Sequence, residues 1–301
     1  MGSDKLRVYG GADRAPKRES NAFGDPLRDA RLLMGLSGWM DGAEVSTGTI
    51  KVLVDKLHAQ RIAEIDHQGF YIYNSPGAME VASLFRPHCK IRKGIIREFE
   101  FPDNAFFAAQ NENLVLFSGK EPNMNWVDYG DCLFALCSQL HVKSVYFIGS
   151  VAGLVPHTRD PTLFCSVSDA QMKPRFESYG MKFSDYEGPA SIITYLTTIA
   201  KEHEVEMVSI VATIPAYVQG ANPKCIVAAT RRIAGMLGIR VDLDDLQASA
   251  DEFEKKLTEI VQEQPELAQN IVKLEQDYDN EIFSEMGDLK HWLHQKGIRL
   301  D

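Results

Sequence analysis

The stretch RLLMGLSGWMDGAEVSTGTIKVLVDKL, residues 31–57, decides the fold. Arg31 to Leu36 is a short apolar run closed by Ser37-Gly38, the pattern of a strand buried on both faces. From Gly42 to Leu57 the period changes. Val45, Ile50, Leu53, Val54 and Leu57 fall on one broad helical face. Asp41 stands where an N-cap belongs, with Glu44 in the first turn beside the positive end of the helix dipole. Asp41 and Glu44 can also be read as an acid pair at a strand end.

The same alternation continues outward. Buried strands are expected at Leu114–Phe117, Ser144–Ile148 and Met207–Thr213. Helices are expected at 126–140, at 190–202 behind Gly188-Pro189, and at 223–237, where Asn222 caps and Gly238 stops. Residues 91–99 alternate enough for a strand at or near a sheet edge. Apolar strands alternating with helices predict an α/β fold, a mainly parallel central sheet covered on both faces. Beyond Asp242, Leu246, Ala250, Phe253, Leu257 and Ile260 step by four and three. Pro265 interrupts, and Leu267, Ile271, Leu274, Tyr278 and Ile282 resume. This is a C-terminal helical hairpin with a narrow apolar seam. Three parts are expected: an irregular arm (1–30), the α/β body (31–243) and an acidic helical appendage (244–301).

Composition sets the boundaries. The 301 residues are 45% hydrophobic and 25% charged, as in folded globular chains. From 244 onward, 15 acids face 6 basic residues, so the appendage carries nearly all of the net charge of -10. Such a surface repels phosphate backbones, and nucleic acid is not an expected partner. No run of about 18 apolar residues predicts a membrane span, and the polar first 26 residues lack a secretory signal, so the expected location is cytoplasmic. Cys89, Cys132, Cys137, Cys165 and Cys225 form no CxxC pair. They read as reduced core thiols, and structural zinc is not expected.

Cofactor signatures are missing: there is no GxGxxG, no phosphate loop and no HExxH. His291 and His294 lie three apart on a helix, too few ligands for a metal. Neither cofactor nor metal is expected. Gly149-Ser150-Val151-Ala152-Gly153 follows a strand but is not GxSxG. A nucleophilic Ser150 with His157 as base and Asp169 as orienting acid is one reading; small residues that let a strand end turn tightly is the other. Pro156-His157-Thr158-Arg159 is either an anion site or a structural tie. Trp39 is either buried or an exposed binding anchor. The binding candidates are therefore Trp39, Asp41, Ser150, His157 and Arg159. No catalytic set is assigned; Ser150, His157, Asp41 and Glu187 are the weak candidates.

These segments resemble the proteasome assembly chaperone family in its bacterial and archaeal branch. The resemblance rests on Gly38-Trp39-Met40-Asp41-Gly42-Ala43-Glu44, Gly119-Lys120-Glu121-Pro122-Asn123 with Trp126, and Ile148-Gly149-Ser150 leading to Val155-Pro156-His157-Thr158-Arg159. Tyr186-Glu187-Gly188-Pro189 and Ile214-Pro215-Ala216-Tyr217-Val218 with Asn222-Pro223-Lys224 complete it, in the family's order. It implies a three-layer α/β/α sandwich related to nucleoside phosphorylases and peptidyl hydrolases. It also implies a non-enzymatic protein-interaction role, protein partners that are proteasome-related where the host has a proteasome, and a homo-oligomer with a trimer favoured. Archaeal members that dock on the proteasome ring end in hydrophobic-Tyr-any. This chain closes Arg299-Leu300-Asp301, so direct ring docking is not expected. The alternative is a small-molecule binder or hydrolase- or phosphorylase-like enzyme with Ser37, Asp41, Ser150, His157, Arg159 and Glu187 lining one strand-end pocket.

Overall fold

The computed structural model describes residues 2–9, 27 and 30–295, the side chains of residues 2, 3 and 282–295 excepted. Among the described residues nine strands form one sheet. Its order is β1 (Leu6–Val8), β3 (Gln60–Ile65), β6 (Ala105–Ala109), β7 (Leu114–Lys120), β2 (Arg31–Ser37), β8 (Ser144–Gly153), β11 (Glu206–Pro215), β9 (Leu163–Val167) and β10 (Lys182–Phe183). β4 (His88–Arg92) and β5 (Ile95–Glu100) form a separate ribbon.

The sheet is mixed. The four central strands β7, β2, β8 and β11 run parallel, as their continuous apolar runs predict. Antiparallel pairings of β6 with β7, β3 with β6 and β9 with β11 extend it on both sides. Alternation along β2 sends Leu32, Met34 and Leu36 to one core and Leu33 to the other. The first core holds α3 (Trp126–Gln139) and α5 (Ile192–Ile199). The second holds α1 (Val45–Lys56) and α6 (Pro223–Leu237). Short helices α2 (Met79–Ser83) and α4 (Lys173–Glu177) lie in connections. α7 (Asp244–Gln262) and α8 (Pro265–Gln295) make the C-terminal hairpin, with Pro265 opening the second helix.

Local chemistry sets most boundaries. Asn222 accepts from the Cys225 amide to open α6, and Gly238, in the left-handed region, closes it. α5 begins later than Pro189 predicts, because Ser191 provides the cap, accepting from the Thr194 amide. Residues 91–99 are not one edge strand. Lys93 and Gly94, both at positive φ, turn the segment into a hairpin outside the sheet. Within the arm expected to be irregular, β1 pairs antiparallel with β3 at the sheet edge. Most of the remaining arm, and Arg299-Leu300-Asp301, lie outside the described residues, as do the side chains of His291 and His294. Cys132, Cys137, Cys165 and Cys225 are buried, and burial pushes their thiols up to about 11, 12, 11 and 12. Cys89 is exposed on β4, contrary to its reading as a core thiol.

Candidate functional site at the strand ends

Parallel strands end on the same side, so the loops after β2, β7, β8 and β11 share one rim. The loop after β2 is pinned to its neighbours. The Trp39 amide donates to Glu121 Oε2 (3.0 Å), and Glu121 Oε1 accepts from the Ile192 amide at the start of α5 (3.3 Å). The Trp39 indole itself stays 52% exposed.

Asp41 and Ser150 meet across a parallel bridge. The Asp41 carboxylate accepts from the Thr47 amide (3.1 Å) and the Thr47 hydroxyl (2.7 Å), so it caps the first turn of α1. Burial nevertheless holds its carboxyl above the usual carboxylate range. Glu44, in the left-handed region, is the residue that precedes α1. Ser150 is fully buried. Its amide donates to the Met40 carbonyl (2.8 Å) and its hydroxyl to the Gly42 carbonyl (2.7 Å). That hydroxyl proton is committed to the backbone rather than to a base.

His157 is buried, and its hydrogen bonds assign its tautomer. Its backbone amide donates to the Tyr217 oxygen (2.7 Å), leaving the Tyr217 proton for His157 Nδ1 (2.9 Å). Nε2 therefore carries the ring hydrogen and donates to Thr258 Oγ1 (3.0 Å), whose own proton goes to the Glu254 carbonyl (2.8 Å). Desolvation lowers the His157 pKa and raises the Tyr217 hydroxyl to about 12. The imidazole is neutral and its bonds reach α7, not Ser150. Asp169 lies at the opposite end of the sheet, because β9 runs antiparallel to β11. There it caps a short 3-10 turn through the Gln171 amide and pairs with Lys201 (2.9 Å). No Ser150–His157–Asp169 relay assembles.

The Pro156–Arg159 cluster does hold anions, and they belong to the chain itself. Arg159 grips Asp279 of α8 through Nε (2.9 Å) and Nη2 (2.8 Å), a fork-to-carboxylate geometry. The Thr158 hydroxyl donates to Glu275, and the Tyr278 hydroxyl donates to the Asp160 carbonyl (3.0 Å). Arg159 holds the Asp279 carboxyl below its ordinary range. Lys224 pairs with Glu254 of α7 (2.7 Å), Lys182 with Glu281 of α8 (2.6 Å) and Lys56 with Asp245 of α7 (2.6 Å). The rim is a clasp that fastens the acidic hairpin to the body. Glu187 is exposed on the connection to α5 and joins neither cluster.

Sequence reasoning missed Tyr217, Thr258, Glu121, Glu275 and Asp279. For Glu275 and Asp279 the signal was present, since acids four apart share a helix face. Nothing in the spacing tied them to residues 158 and 159. Among the described residues no group of three metal-ligating side chains gathers, and no helix is long and apolar enough to cross a membrane.

A family model described as the PAC2 family matches residues 35–261. Among curated proteins, none matches the chain. A proteasome-assembly chaperone homologue of Mycobacterium tuberculosis is 28% identical. Its structure superposes with a TM-score of 0.69, over 80% of this chain and 99% of that one. A PAC2 family protein of Streptomyces avermitilis gives 0.68 at 23% identity, over 80% and 99%. A Corynebacterium glutamicum protein of unknown function gives 0.76 at 17% identity, over 93% and 99%.

Proposed function

The chain belongs to the PAC2 family, and from that premise we propose that it works by holding protein partners rather than by catalysis. The family places it among assembly-chaperone-like proteins. The observation that carries the narrower reading is the state of the rim. Ser150 and Asp41 are engaged with backbone and helix cap, while His157 and Arg159 are engaged with the hairpin. Beside them Trp39, at 52%, and Leu154, at 83%, stand exposed after adjacent parallel strands. An exposed aromatic and an exposed leucine on pinned loops suit a protein contact. A nucleophile or general base needs a free proton site within reach of substrate, which these groups lack. That weighs against the small-molecule enzyme.

The partner sought first is a proteasome subunit, by analogy with the mycobacterial homologue's name, in a cytoplasmic setting. The chain is also read as a homo-oligomer, a trimer by family analogy. Cross-linking and affinity isolation from the source organism test the proposal. One defined protein recovered with the wild type, and lost with Trp39→Ser combined with Leu154→Asp, supports it. Recovery of nothing but the chain itself overturns it.

A further inference from the structure

The segment between β3 and β6 leaves the sheet and carries a ribbon that pairs with no other strand among the described residues, its Phe99 ring meeting Phe101 edge-on (5.2 Å). The β4–β5 register pairs Ile91 with Ile96 and Cys89 with Phe99 on one side. It pairs Arg92 with Ile95, Lys90 with Glu98 and His88 with Glu100 on the other. The register shift at Lys90/Ile91 leaves Arg97 as the extra residue. Paired residues share a face, so one face is apolar and the other mostly charged. The apolar face points to solvent: Ile91 is 55%, Ile96 64% and Phe99 56% exposed. A two-stranded ribbon is marginal in water on its own, and amphipathic strands ordinarily turn their apolar face inward.

A second surface matches it in both apolar content and charge. On the hairpin, Ile260 and Val272 are about half exposed near the Gln264–Pro265 corner, among exposed Glu259, Glu263 and Glu266. Arg92, Lys93 and Arg97 rim the ribbon and make no ion pair among the described residues. The two surfaces belong to elements rooted toward opposite edges of the sheet. The ribbon springs from β3 and β6 near one edge of the sheet, whereas Lys182 of β10 at the other edge anchors α8.

We propose that the apolar ribbon face of one copy seats on the acidic α7–α8 surface of the next. Because the two surfaces differ, the contact is heterologous, and closing it yields a ring rather than a two-fold dimer. This rests on the self-association reading above and assigns its surfaces.

The test uses the full chain, light scattering and the rate at which a maleimide labels Cys89. Ile96→Asp and Ile260→Asp should each reduce the mass to that of a monomer at micromolar concentration, a tenfold or greater loss of affinity. Both should keep the wild-type circular dichroism spectrum, showing that the dissociated chain is folded. Ile260→Asp should also speed Cys89 labelling about tenfold, because Cys89 lies on the ribbon face that the neighbouring copy would cover. Arg92→Glu with Arg97→Glu should dissociate the assembly, and adding Glu259→Arg and Glu263→Arg should restore it. An oligomer whose mass survives both aspartate substitutions overturns these surfaces while self-association stands. A monomeric wild type overturns both readings. If a monomeric wild type binds anionic vesicles through Arg92 and Arg97, the ribbon faces a membrane surface and the proposal also falls.

Discussion

At the scale of single residues, His157 carries the clearest electrostatic consequence. Burial lowers its pKa in the fold, so the unfolded chain takes up the proton first as pH falls below about 6.5. Its neutral form therefore contributes stability that is fully present above pH 6.5. That contribution is lost as pH drops through the depressed folded value, and it levels off below. Urea unfolding between pH 7.5 and 5 should show a steeper loss for the wild type than for His157→Gln, and equal slopes would refute this assignment. Gly35 shows a steric constraint. A Cβ there would sit 2.7 Å from the Ser46 carbonyl oxygen and 2.6 Å from Ile50 Cγ1, where α1 crosses β2. Gly35→Ala should cost about 1–3 kcal/mol by denaturant titration, because backbone on both sides must shift. Asn104 is a buried polar hub: its Oδ1 accepts from the Lys120 amide (3.0 Å) and lies within reach of the Tyr71 and Tyr129 hydroxyls. Asn104→Leu should destabilise by about 1–3 kcal/mol, since it strands the Lys120 amide, while the Tyr71 hydroxyl keeps the Lys120 carbonyl as acceptor (2.7 Å).

At the scale of elements, the hairpin is held by a seam and a clasp. A two-helix unit of this length buries too little surface to stand alone. Its Ala250, Val261 and Ile271 are buried, and its charged groups meet Lys56, Arg159, Lys182 and Lys224. Leu257→Asp with Leu274→Asp should release it by placing charges in the seam. Arg159→Ala should do so more mildly. Hydrogen exchange should then quicken across 265–281 while the β2 and β8 amides keep their protection. Quickening throughout would mean that the hairpin and body unfold as one unit. Elements also explain where the sequence reading fell short. β3 is half polar, and β6 and β9 are only five residues long, β6 apolar but rich in alanine and β9 broken by Ser166, so they stand out less than the longer apolar strands β2, β7, β8 and β11. Residues 91–99 looked like a strand because Ile91, Ile95 and Phe99 do alternate with charge. Their placement off the sheet follows from the Lys93-Gly94 turn.

At the scale of the whole molecule, charge is segregated: a nearly neutral body wears an acidic hairpin, with a basic-rimmed apolar ribbon near the opposite edge. If that segregation drives assembly, raising the salt from 0.05 to 0.5 M should weaken the oligomer measurably without abolishing it. Screening would remove the Arg–Glu attraction and leave the apolar contact. Sedimentation velocity at both salts checks this. Complete insensitivity to salt would remove the charge argument.

The sequence by itself determined what depends on short spans. The apolar strands of the parallel centre, the caps of α6 and the break at Pro265 are each legible within a short span, and the family resemblance is a series of such short motifs in order from Gly38 to Lys224. The motif Ile214-Pro215-Ala216-Tyr217-Val218 was equally legible, but the role of Tyr217 was not. Only the tertiary structure decided that the Tyr217 hydroxyl donates a hydrogen bond to His157 Nδ1, that Thr258 Oγ1 accepts one from its other nitrogen, and that the anion held by Arg159 is Asp279, 120 residues away. The physical reason is that a hydrogen bond requires atoms within about 3 Å. A sequence pattern reports the period of a strand or helix, but not which distant helix the fold lays across it.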